Sequence, residues 1–66
     1  MDPLVTWRRL EDAMLNCERP LIVDRARELI DWLNKGRFMP AETDWTGDVR
    51  SFVRYLRDIK RVAEMA

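Results

Sequence analysis

Apolar side chains return along this chain at steps of three and four residues, the spacing that gathers them on one side of an α-helix. Three stretches carry the pattern. Leu4, Trp7, Leu10, Met14 and Cys17 trace the first, Ile22, Ala26, Leu29, Ile30 and Leu33 the second, and Val49, Phe52, Leu56, Ile59 and Ala63 the third. Asp2 is placed to cap the first helix, with Pro3 at its first position, where a missing N–H breaks no internal bond. Pro20 ends that helix by disfavouring helical geometry at Arg19, and then suits the first turn of the next. Gly36 offers a left-handed stop after Lys35. The third helix starts at Asp44 or Thr46, either of which can cap, with Asp48 in its first turn.

The predicted helices lie near residues 3–17, 20–35 and 46–64, with a loop over 36–45. The segment from Arg37 to Trp45 has no sustained period and contains Pro40, so Phe38, Met39 and Trp45 are expected to fold back onto the core. In the second helix Val23 flanks the stripe on one side, and Leu21 and Trp32 on the other. That arc covers half the circumference or more, wider than one neighbour requires. Two neighbours are implied: the first and third helices, or a helix from a second copy. The expected fold is therefore all-α, a small three-helix bundle in one domain spanning residues 1–66. The alternative is a helical homodimer sharing a core through helices two and three.

Composition narrows the class. At 66 residues the chain is near the lower limit for burying a sufficient core without metal or disulfides. It is 47% hydrophobic and 36% charged, and its apolar runs never exceed three residues, so neither a disordered tail nor a membrane span is expected. One cysteine, Cys17, and no histidine leave no intrachain disulfide and no Cys/His zinc framework. Cys17 is read as a small buried hydrophobe, and Met14, Met39 and Met65 as fillers of irregular gaps. No secretory signal is evident, and a reduced, cytoplasmic setting is expected.

Charge changes the picture more. Twelve basic and twelve acidic residues cancel, yet residues 1–45 hold seven basic against nine acidic and residues 46–66 five against three, about −2 and +2. Arg50, Arg54, Arg57 and Arg61 share one arc of the third helix, opposite its apolar stripe. Such a row could clasp phosphates or carboxylates, or be only a solvated face. Asp24, Glu28 and Asp31 form an outward row on the second helix, closed by Lys35, at the same spacing. The acidic row of one copy could meet the basic ridge of another; equally, Arg27 with Asp31, and Asp31 with Lys35, could pair within the helix. Trp7 belongs to the core stripe, whereas Trp32 and Trp45 sit where each could anchor an interface.

Enzyme chemistry finds little support. There is no histidine, no nucleophile motif, and no glycine-rich phosphate loop, with only Gly36 and Gly47 present. Glu28 and Asp31 lack the Glu-x-x-His partner of a di-metal site, and Glu42, Asp44 and Asp48 fail the spacing of a calcium loop. No catalytic residue, metal or cofactor is assigned. The expected function is a non-catalytic protein-protein interaction module, self-associating or binding another chain. The alternative is a nucleic-acid-binding accessory protein using the arginine face, against which stand the neutral net charge and a loop too long for a helix-turn-helix.

Overall fold

Asp2 caps the chain's first helix as its position predicts: its Oδ1 accepts from the backbone N–H groups of Leu4 at 3.0 Å and Val5 at 3.5 Å. In the computed structural model, which describes residues 2–40, 43 and 45–65, this helix is α1, Pro3–Leu15. It ends where the Glu18 N–H reaches the Ala13 carbonyl at 2.9 Å and the Cys17 N–H reaches the Met14 carbonyl at 3.3 Å. Both are bonds of a Schellman stop, and the left-handed position that such a stop needs is occupied by Cys17, at φ 54. The expectation of a buried Cys17 is thereby corrected. The helical stripe cannot continue past Leu15, and the thiol is exposed.

Helix α2, Arg19–Asn34, starts one residue before Pro20 and stops at Gly36, which takes φ 78 and sends its N–H to the Leu33 carbonyl at 3.1 Å. Helix α3, Val49–Glu64, begins later than the apolar and polar pattern suggests. Its cap is Asp48, whose Oδ1 accepts from the Ser51 N–H at 2.9 Å. Thr46 therefore lies before the helix, and Asp44 lies outside the described residues. The Ser51 hydroxyl donates to the Asp48 carbonyl at 2.9 Å and accepts from Trp45 Nε1 at 3.1 Å, so one serine ties the loop to the first turn of α3. A Cβ on Gly47 would strike that hydroxyl and approach Trp45 Nε1 to 2.9 Å, which explains the glycine.

The three helices pack into a compact all-α domain, with no strand among the described residues. Helix α2 is central: it packs against both α1 and α3, and these two do not bring any Cα within 8 Å of each other. Its wide apolar arc is thus satisfied within one chain. Ile22, Ala26, Leu29 and Leu33 are buried along it, facing Leu10 and Ala13 of α1 and Phe52, Val53 and Leu56 of α3 in one core. The start of α2 lies beside the end of α3, since Ile22 and Ile59 line the same groove, while Leu33 and Val53 line another. Together with the three-residue return between α1 and α2, this makes both neighbours antiparallel to α2 and parallel to each other.

Two stripes are rotated from their expected positions. On α1, Thr6 and Ala13 are buried while Trp7 and Met14 are half-buried. On α3, Val53 is buried, and Val49 is 42% exposed. Aromatic contacts replace backbone contact between α1 and α3. Phe52, fully buried, meets Trp7 at 5.3 Å between ring centroids and Trp45 at 5.5 Å, and Trp45 stacks on Tyr55 at 5.0 Å.

Candidate interaction surfaces

Helix α3 is two-sided by its spacing, and the fold puts a different concavity on each flank. On one flank the start of α3 faces the end of α2 across an open trough of about 600 Å³. Leu33, Val49 and Val53 make its floor, and Arg50, Arg54 and Arg57 line it. All three arginines are exposed. None has a carboxylate within 4.0 Å among the described residues. Arg61, the fourth member of the sequence ridge, differs: its guanidinium donates to Asp58 at 2.9 Å. Among the described residues, three cations of the ridge are thus outside any ion pair and one is engaged.

Electrostatics at this end of α3 come from the cap. The Asp48 carboxyl is held below its ordinary 3.8, first by the Ser51 backbone N–H, then by the Ser51 hydroxyl, with the Arg50 charge adding to both. At the other end Glu64 is held below its ordinary 4.5 by the bond from Lys60, 2.7 Å away, and more weakly by the charges of Lys60 and Arg27.

The acidic row of α2 is less uniform than its spacing suggests. Glu28 accepts from Arg25 at 3.0 Å, while Asp24 and Asp31 are exposed. Neither Arg27 nor Lys35 forms an ion pair with Asp31 among the described residues. Glu28 and Asp31 share a shallow hollow with Trp32, Lys35 and Arg37, so cations already stand beside them.

The two tryptophans that could anchor either an interface or the rim of the core are both engaged internally. Trp32 donates Nε1 to the Phe38 carbonyl at 2.9 Å, meets the Phe38 ring edge-on at 5.6 Å, and carries Arg37 over its face at 4.9 Å. Phe38 itself, expected in the core, is 69% exposed, because it packs on the rim residue Trp32 rather than beneath it. Trp45 is wedged among Ser51, Phe52 and Tyr55.

A second concavity has no counterpart in the sequence reading. Between the C-terminal halves of α1 and α3 lies an open apolar groove of about 550 Å³, floored by Ile22 and walled by Met14, Tyr55, Ile59 and Val62. Tyr55, Ile59 and Val62 do recur at helical spacing, and that second flank of α3 is the signal which could have revealed it. Arg19 and Asp58 stand at its mouth.

The chain matches no protein-family model, no curated protein and no solved structure. Among the described residues no three acidic or cysteine side chains gather as a metal site, and no helix is long and apolar enough to cross a membrane.

Proposed function

We propose that this protein is a non-catalytic protein-interaction module that receives an acidic, amphipathic helical segment of a partner in the trough between α2 and α3. What supports the reading is one observation: Arg50, Arg54 and Arg57 stand in a row beside an aliphatic floor, and among the described residues none of the three is ion-paired with a carboxylate. Seven residues of helix separate the first from the last, about 10 Å along the axis. A partner helix with carboxylates at the same steps meets all three, and charge-assisted, bidentate bonds to guanidinium are the strong kind. Its neighbouring apolar residues would cover Val49, the exposed part of the floor, while charge sets the register.

Nucleic acid fits this trough less well. Its floor is aliphatic and offers no aromatic face for a base, and the chain as a whole is neutral. The test is an anisotropy titration with a labelled amphipathic peptide carrying Glu at i, i+4 and i+7 beside leucines. The same peptide with lysines, and mixed-sequence DNA and RNA at low salt, serve as competing probes. Saturable binding of the acidic peptide is expected, weakened at least about tenfold by Arg54→Glu with Arg57→Glu. A flat titration with the acidic peptide, or tighter binding of DNA or RNA with a steep salt dependence, would refute the proposal.

A further inference from the structure

We infer that the apolar groove between the C-terminal halves of α1 and α3 is closed by a second copy of this chain, in a two-fold symmetric dimer. The groove lies on the other flank of α3 from the arginine trough, so this inference does not depend on the function proposed above. Helices α1 and α3 are held together at Trp7 and Phe52, and beyond that contact the groove opens over Ile22. Two parallel helices lying on a third form the seat that a fourth helix occupies in a bundle.

The same flank of α3 supplies the shape that fills it. Val62 stands on the α3 lip of the groove and is 69% exposed, and Met65, three residues on at the end of the helix, is 79% exposed, so an exposed apolar ridge begins on the lip at Val62. A ridge and a groove side by side on one surface satisfy a two-fold interface, because the ridge of each copy enters the groove of the other. The rim charges fit a second copy, which carries the complement of each. Arg19 stands at the α1–α2 corner of the mouth and Asp58 on the α3 lip. A two-fold rotation sets the Arg19 of each copy against the Asp58 of the other. Asp58 uses Oδ1 for Arg61, which leaves its other oxygen to accept. With a formal net charge of zero, two copies approach without net repulsion.

Sedimentation equilibrium of the full chain, from low-micromolar to near-millimolar concentration, is expected to show the mass rising from 7.9 kDa towards twice that value. Val62→Glu, and separately Met65→Glu at the more exposed end of the ridge, should hold the mass at 7.9 kDa with the helical circular dichroism spectrum unchanged. Arg19→Glu should weaken the dimer about tenfold, and adding Asp58→Arg should restore it. A readout without substitution comes from Cys17, which lines the groove: its reaction with a maleimide should slow as protein concentration rises. A constant mass of 7.9 kDa, a dimer indifferent to Val62→Glu and Met65→Glu, or a thiol rate independent of concentration would overturn the inference.

Discussion

Cys17 shows how one residue can sit against its own backbone preference. A side chain at φ 54 brings its Cβ towards the following carbonyl oxygen, a strain of about 1 kcal/mol or more that glycine escapes. The turn persists because its two backbone bonds terminate α1 and allow α2 to fold back immediately. Cys17→Gly is expected to keep the Schellman stop and remove the strain, offset in part by the greater freedom glycine has in the unfolded chain, so Tm should rise by less than the roughly 4–8 °C that 1 kcal/mol moves a domain of this size, as followed by thermal circular dichroism. A lower Tm would mean that the unfolded-chain entropy or a contact of the thiol outweighs the strain. Gly36, at φ 78, already gives α2 the unstrained version of the same stop.

At the level of the element, α3 depends on its first turn. Asp48 accepts from the Ser51 N–H, Ser51 holds Trp45, and Trp45 covers Phe52, so the cap connects local helix chemistry to the core. The Asp48 and Glu64 carboxyls are both held below their ordinary values, which makes the folded state prefer them ionised. The stability they add is fully present above the unfolded values of 3.8 and 4.5, and is lost as pH falls through the lower folded ones. Helicity should therefore be constant from neutral pH to about pH 5 and decline below about pH 4, with Asp48→Asn flattening part of that decline in a circular dichroism titration. A decline that starts near pH 6 would point to some other group.

Across the whole molecule, Phe52 occupies the position that α1, α3 and the loop all need. Trp7 approaches from one side and Trp45 from the other, and no Cα pair bridges α1 to α3. Truncating a fully buried phenylalanine costs about 3–5 kcal/mol. A domain of this length has about 3–10 kcal/mol in total. Phe52→Ala is therefore expected to consume most of the stability, lowering the urea midpoint sharply and collapsing the near-ultraviolet signal of Trp7 and Trp45, while Phe52→Leu should cost much less. A small, equal effect of both would show that α1 is held to the bundle by α2 alone.

What could be read from the chain alone follows from interactions spanning four or five residues. The Asp2 cap, the Pro3 entry and the Gly36 stop are local, and so is the periodicity that yields three helices and a long loop, because each is decided by a residue and its near neighbours. Even locally, Asp48 outcompeted Thr46 as the cap of α3, since its carboxylate reaches the Ser51 N–H while Ser51 also holds Trp45. The arginine row was visible as spacing, but not that Arg61 turns to Asp58 while Leu33 and Val53 floor the trough beside the other three. Nor could spacing tell that Trp45 would be spent on Phe52 and Tyr55, or that α1 and α3 would part beyond Trp7 to leave a groove over Ile22. Those outcomes depend on distances between residues far apart in the chain, which are set when three stripes must share one core, and a helical period carries no record of which neighbour each stripe will meet.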